Sequence, residues 1–568
     1  MSATDWIVLF VTLAVIVLYG VWKSRHTRNI SGFLLADKQL PWYHVGLSVM
    51  ATQASAITFL SAPGLAYNDG LRFVQFYFGL PLAMIVICTS FIPIFKNLHV
   101  YTAYEYLERR FDIKTRSLTS FLFLLQRGVS TGITIYAPSI VLSTILGVEI
   151  TLTTLFIGGI VILYTVYGGT RAVSYTQLFQ MSIVFSGLFV AAVVVVYMLP
   201  EHVGFIDALH IAGKMGKLNA IDTQFDLNNR YNIWSGIIGG FFLQLSYFGT
   251  DQSQVGRYLT GSSVSQSRLG LVMNGLVKIP MQFFILLIGT LVFTFYQFHQ
   301  PPVFFNRAEV NRIENSVYRE EYRALEKDYA QVHAKKREII NHMLAALHRD
   351  DEPAMRTAQA QLKEMSRSEE SVRKETIELM VKNHPGADIN DTNYVFLSFV
   401  MNYLPVGLVG VLIAIIFLAA MGSTASGLNS LASTTTVDFY KRFFHKEEHE
   451  RNDLSASRWT TVGWGAFCVI IALYAGKLGN LIEAVNILGS LFYGTILGIF
   501  LTAFFLKKVK GNAVFYAAVI AEIFVVIAWV TDLTSFLWLN LIGSVLVMGI
   551  AYAIQKLIHS RPAQKTNG

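Results

Sequence analysis

Residues Leu412 to Tyr440 read LIAIIFLAAMGSTASGLNSLASTTTVDFY. As far as Ala420 the stretch is apolar enough for lipid. From Gly422 it is not: Ser423, Thr424, Ser426, Asn429, Ser430, Ser433, Thr434, Thr435 and Thr436 follow within one helical reading. Hydroxyls and an amide at that density cannot face hydrocarbon. They face other protein, a cavity or an ion. Hydroxyl and carbonyl oxygens are what a hard cation needs where no carboxylate is supplied. The same small residues would also let helices approach closely and hydrogen-bond across an interface.

The rest of the chain places this stretch in a membrane. Of 568 residues, 53% are hydrophobic and 14% charged, against about 25% charged in soluble proteins. The net charge of +8 marks cytoplasmic loops rather than a nucleic-acid surface. Both cysteines, Cys88 and Cys468, lie in apolar runs, so no disulfide framework or metal site is expected. No phosphate-binding GxxxxGK[ST] loop, metalloprotease, hydrolase or kinase signature occurs, which argues against an ATP-driven pump and against an enzyme.

The first apolar run, Trp6 to Trp22, has no Lys or Arg before it, and Lys23, Arg25 and Arg28 follow at once. That order predicts an uncleaved helix with its N-terminus outside. Twelve further spans are expected near 43–62, 71–95, 117–146, 150–166, 175–199, 232–249, 268–297, 397–437, 457–475, 481–506, 511–531 and 533–556. Thirteen crossings put the C-terminus in the cytoplasm. Expected inner loops hold Lys96, Arg109, Arg110, Lys114 and Arg116, then Lys441, Arg442 and Lys446, then Lys507, Lys508 and Lys510. The short outer loops 147–149 and 476–480 carry almost no charge.

Residues 306–385 break the membrane pattern. They are dense in Glu, Lys, Arg and Gln, with apolar residues at Val310, Ile313, Val317, Leu325, Tyr329, Val332, Ile339 and Met343. Spacings of three, four and seven predict helix. Asp350-Asp351-Glu352-Pro353 interrupts it, and Leu362, Met365, Val372 and Ile377 resume it. Two antiparallel helices on the outer side are expected, the first up to ~60 Å long. A solvated insert is the plainer reading; an extracytoplasmic protein partner held by 306–385 is the alternative.

Two further spans carry polar or glycine interruptions. Val45 to Gly64 reads VGLSVMATQASAITFLSAPG, and Ile233 to Arg257 reads IWSGIIGGFFLQLSYFGTDQSQVGR. They are the second and seventh spans and open two runs of five. Interrupted spans at matching places in two halves point to a secondary transporter, where unwound backbone offers carbonyls to ions and helix ends to substrate.

With these pieces in order the chain resembles the sodium/solute symporters, the family of the sodium–glucose, sodium–proline, sodium–sialic acid and sodium–monocarboxylate cotransporters. Leu40-Pro41-Trp42 leads into ATQASAITFL; YTAYEYLERRF follows at 101–111 and YGGTRAV at 167–173; then come Tyr247 to Arg257 and Asp438-Phe439-Tyr440-Lys441. The resemblance implies an all-α polytopic membrane protein with a leucine-transporter-like 5+5 inverted-repeat core, about 13 transmembrane helices and an extramembrane helical hairpin. It also implies alternating access and Na⁺-coupled uptake. Its sodium site falls on the carbonyls of Ala51, Ala54 and Ala419 and on two hydroxyl positions, Ser423 and Gly422, the second lacking a hydroxyl here. A second sodium in some members needs an acid on span 6 and hydroxyls further along span 9. Gln177 and Ala425 stand at two of these places, beside Ser426, so one coupled Na⁺ is expected. The solute positions fall on Thr58, Tyr77, Gln244, Lys278 and Asn486, with an aromatic gate at Tyr247. Lys278 and Tyr247 match the sugar transporters, whereas Tyr77 and Thr58 replace a glutamate and a glutamine. A neutral polyol, a sugar or a small carboxylate is therefore expected as solute.

The expected organisation is an N-terminal helix and loop (1–42), a first repeat with the start of the second (43–305), the outer insert (306–385), the remainder of the second repeat (386–510), and two peripheral helices with a tail (511–568). The alternatives are a transporter-like sensor or receptor and an uncoupled facilitator, which the missing hydroxyl at Gly422 keeps open.

Overall fold

A computed structural model describes residues 1–24, 38–98, 100–444 and 450–560. Arg25, Arg28 and Lys446 and the tail beyond residue 560 lie outside the described residues, and for 167–172 the backbone alone is described. Nine helices among the described residues are long and apolar enough to cross a membrane, and Ala3–Ile16 and Ile150–Val166 are shorter apolar helices. The main elements are α1 (Ala3–Ser24), α2 (Trp42–Gln53), α3 (Ala56–Asp69), α4 (Ile113–Leu146), α5 (Ile150–Tyr197), α6 (Gly240–Thr250), α7 (Gln252–Leu259) and α8 (Val264–Phe298). After them come α9 (Arg319–Leu347), α10 (Glu352–Asn383), α11 (Leu408–Thr434), α12 (Glu450–Tyr474), α13 (Leu481–Phe505), α14 (Gly511–Val530) and α15 (Phe536–Ser560).

α11, the polar span of the opening stretch, is the most deeply buried of the nine. It packs against α1, α2, α3, α4, α5, α7 and α12. Its hydroxyls first satisfy themselves on its own backbone: Ser423 on Ala419, Ser426 on Gly422, Ser430 on Gly427. Such back-bonding lets a polar helix sit in a dry core. Gly427 lets α4 come close, since a Cβ there would stand 2.4 Å from Thr131 Oγ1. The helix begins at Leu408 rather than 397. Val395–Tyr403 is a separate short helix, because Pro405 stops it and Gly407 turns at φ +90°. Asp5 of α1 then caps α11, accepting from the amides of Gly407 at 2.6 Å and Gly410 at 3.3 Å. A carboxylate is stabilised at that helix end by the unpaired amides and the dipole.

The helix α5 is 48 residues long, far more than the ~20 a bilayer needs. It is not straight. Tyr164 and Thr176 hydroxyls lie 3.0 Å apart, whereas twelve residues of straight helix rise ~18 Å. The helix therefore bends sharply between them, where the expected spans 150–166 and 175–199 part.

The basic loops gather at one end of the bundle. There Arg110 holds the carbonyls of Ala503, Leu506 and Lys507, and Arg116 is paired with Glu108 and Asp438. The insert sits at the other end, against the last turns of α8. α9 and α10 form the expected antiparallel pair, with Pro353 in the first turn of α10. The expected first helix is cut in two: Arg307–Glu314 is a short separate turn, and α9, at 29 residues, is about 44 Å long. Inside the pair, burial pushes the Glu369 carboxyl up, but Lys336 and His333 beside it bring it below the usual range.

Candidate solute and sodium site

Both interrupted spans are broken where the polar residues predict. In the first, Ala54 leaves helical geometry at ψ 79° and Ser55 is extended before α3 begins. The Ala54 amide still reaches Met50, but the Ser55 amide turns to Gln53 and the Thr58 amide to Ser55. The carbonyls of Ala51 and Ala54 are thus left with no donor among the described residues. In the second, α6 ends at Asp251, which is extended at ψ 120° and caps α7 through Ser253.

A cavity of about 100 Å³ lies between the two breaks. Thr58, Tyr77, Gln244, Tyr247 and Asn486, five of the six expected solute positions, line it together with Ser423. Both amide atoms of Gln244 and Oε1 of Gln53 are buried without a partner. Lys278 stands one layer behind, fully buried, its Nζ unpartnered and 5.7 Å from the centre of the Tyr77 ring. It belongs to a stripe on α8 whose other members, Asn274 and Gln282, are equally unpartnered.

The sodium candidates Ala51, Ala54, Ala419 and Ser423 are all buried. Ser423 Oγ donates to Ala419 at 2.8 Å, which leaves its lone pairs for another partner. Thr424 Oγ1, at the next position, is buried without a partner. These oxygens, two bare carbonyls among them, are chemically a Na⁺ donor set. Gly422 faces α5, and a Cβ there would meet Gln180 Oε1 at 2.6 Å.

The resemblance did not mark Arg127 and Tyr493, which line the cavity, or their partner Asp251. Arg127 of α4 is paired with Asp251, and both bond the Tyr493 hydroxyl, each at 2.9 Å. The Tyr247 ring covers this group, 5.5 Å from the guanidinium, and its hydroxyl takes a bond from Gln254 at 2.6 Å. An arginine inside the apolar run 117–146 was the available signal. Its partner, 124 residues away, was not visible from the sequence.

A sequence profile described as the Sodium:solute symporter family matches residues 33–317 and 374–521, more than half of the chain. The segment it skips lies inside the insert. Among individual proteins, the chain is 26% identical over 514 residues to a sodium-dependent multivitamin transporter of Oryctolagus cuniculus, covering 89% of this chain and 66% of that one. It is 32% identical over 276 residues to the sodium/iodide cotransporter of Homo sapiens, covering 48% of this chain and 42% of the other. It is 24% identical over 560 residues to a sodium/sialic acid symporter of Aliivibrio fischeri, covering 96% and 92%. The match thus spans less than two thirds of the first two relatives and nearly all of the third. The substrate-bound, outward-open structure of a Na⁺-coupled sialic acid symporter superposes with a TM-score of 0.74 at 21% identity, over 98% of each chain. That likeness establishes the leucine-transporter-like fold. With the broken helices in place and the profile running across both halves of the core, the chain belongs to the sodium:solute symporter family, a family of transporters and not of enzymes.

Proposed function

We propose that this protein is a secondary active transporter that carries a small organic solute into the cell together with one Na⁺, by alternating access. The observation that carries the reading is the meeting of two broken helices at one polar cavity, with the Ala51 and Ala54 carbonyls bare beside it. Na⁺ is held by the carbonyls of Ala51, Ala54 and Ala419 and the hydroxyl of Ser423. The solute is held by Thr58, Tyr77, Gln244 and Asn486 under Tyr247. The solute is a sugar, a polyol or a small carboxylate; Lys278, buried one layer behind the cavity with its Nζ unpartnered, backs the Tyr77 ring. The basic end of the bundle is cytoplasmic by the positive-inside rule, and residues 306–385 lie outside. The charged outer face of the hairpin is the surface that a protein partner on that side would meet.

The test is uptake into proteoliposomes under an imposed Na⁺ gradient, with panels of small carboxylates, sugars and polyols. Uptake that ignores the gradient would make the protein a facilitator. A ligand-induced rise in melting temperature without uptake would make it a sensor. A cysteine placed at Pro353 should label from outside intact cells; labelling only after lysis reverses the topology.

A further inference from the structure

A second polar cluster lies one turn along α11 from Ser423, and it differs from the sodium site in being complete. Gln177 of α5 accepts from the Ser48 hydroxyl at 2.6 Å and donates toward Ser426 Oγ at 3.2 Å, the Gly422 carbonyl at 3.3 Å and Thr52 Oγ1 at 3.4 Å. Ser426 and Thr52 hydroxyls are 3.1 Å apart, and Ser48 and Ser174 hydroxyls 3.4 Å. Into these oxygens Arg257 of α7 puts its guanidinium, donating to Ser426 Oγ at 2.8 Å and to Ser174 Oγ at 3.4 Å. Arg257 is 3% exposed, and no carboxylate pairs with it among the described residues. The side-chain polar atoms of Arg257, Gln177, Ser48, Thr52, Ser174 and Ser426 are not among the unpartnered ones, in contrast to Thr424, Asn429 and Gln53 nearby.

A buried charge is ordinarily paired with its opposite. Here, as a bound metal cation would be, it is solvated by neutral hydroxyls of α5 and α11, which Ser48 and Thr52 of α2 hold in place from behind. We propose that Arg257 is a resident cation: its guanidinium holds the position that a second coupling ion would take on α11, and so fixes the cycle at one Na⁺. The inference rests on the Na⁺-coupled reading above and adds the reason for its stoichiometry. Two effects act together. The oxygens are already committed to the guanidinium, and a second cation among them would face a like charge in a low-dielectric interior. A neutral amide at Gln177 belongs to the same arrangement: an acid there would pair with Arg257 and neutralise the charge that keeps an ion out.

The experiment counts ²²Na⁺ bound at saturation to the purified full-length chain, so it needs no solute. The parent should bind one Na⁺ per chain without cooperativity. Arg257→Lys and Gln177→Asp should each stay at one, because the first keeps the charge and in the second the guanidinium still fills the position beside Ser174 and Ser426. The double variant Arg257→Gln/Gln177→Asp, checked for a single gel-filtration peak and a sharp melting transition, should bind two. Two ions in the parent or in Gln177→Asp alone, or only one in the folded double variant, would overturn the proposal. No Na⁺ binding to the parent would instead remove the coupling reading itself.

Discussion

Ser423 is the one hydroxyl at the expected sodium position on α11, and glycine precedes it. Replacing it by Ala removes one of the few oxygens of the proposed sodium site. A hydrogen-bond-like contact to a charged group is worth ~1.5–3 kcal/mol, so Na⁺ affinity should fall roughly 10- to 100-fold. Titrating ²²Na⁺ binding checks it, and an unchanged affinity would move the ion elsewhere. Gln177→Ala should behave differently. It strips partners from Ser48 and Ser426 in a buried cluster, so it should cost about 1–3 kcal/mol of stability while leaving Na⁺ affinity nearly unchanged. Melting and Na⁺ titration on the same sample separate the two effects. The hydroxyl missing at Gly422 is not restored by Ser alone, because the new Cβ meets Gln180 Oε1 at 2.6 Å and that side chain has to swing away. At this scale the sequence showed which residues were too polar for lipid. It did not show which polar groups answer each other: Arg257 and Ser426 are 169 positions apart, and only the fold brings them together.

Elements were legible where their chemistry is local. The breaks at Ala54 and Asp251 followed from polar and glycine residues inside apolar runs, and the hairpin turn followed from Pro353. The start of α11 was missed because a hydropathy window runs across Leu404-Pro405, although the proline and Gly407 stop the helix there. The insert was read as a solvated antiparallel hairpin, and it is anchored to the bundle as well. Arg373 of α10 bonds both oxygens of Asp391, at 2.8 and 3.0 Å, and the carbonyl of Val303; Asp391 in turn accepts from the Phe305 amide. His348 reaches Asp207 at 2.9 Å. Replacing 306–385 by a short linker would strand Asp391, which is 4% exposed. Breaking a buried pair from one side costs ~3–5 kcal/mol, and the half-buried arginine puts this case at the lower end. The excised protein should lose about that much stability, read as a lower melting temperature, and Asp391→Asn should recover much of it. A linker variant as stable as the parent would show that the hairpin carries no share of the fold.

For the molecule as a whole, the seam between insert and bundle should respond to pH. Asp388 lies on it, outside the spans. Its carboxylate accepts from the Tyr394 hydroxyl at 3.2 Å, and its amide points at Glu309 Oε1 at 3.4 Å. Burial pushes its carboxyl up to about 7, with Glu309 and Asp391 adding to the shift and the Tyr394 and Asn390 hydrogen bonds opposing it. The other titratable groups facing this seam are Tyr136 from α4, His384 and Arg312 beside Glu309, and Arg373 on Asp391. A carboxyl with a raised folded pKa favours the folded seam when protonated. The contribution is complete below the ordinary value near 4, shrinks as pH rises from there, and is gone above about 7. A shift of about three units corresponds to at most ~4 kcal/mol. Backbone hydrogen exchange over 307–314 and 386–394, corrected for intrinsic rates, should therefore show stronger protection at pH 5.5 than at pH 8. Asp388→Asn is the deciding variant. It keeps a neutral side chain at every pH and should hold the acid level of protection at pH 8. If its protection still falls between pH 5.5 and 8 as steeply as the parent's, Asp388 does not govern the seam.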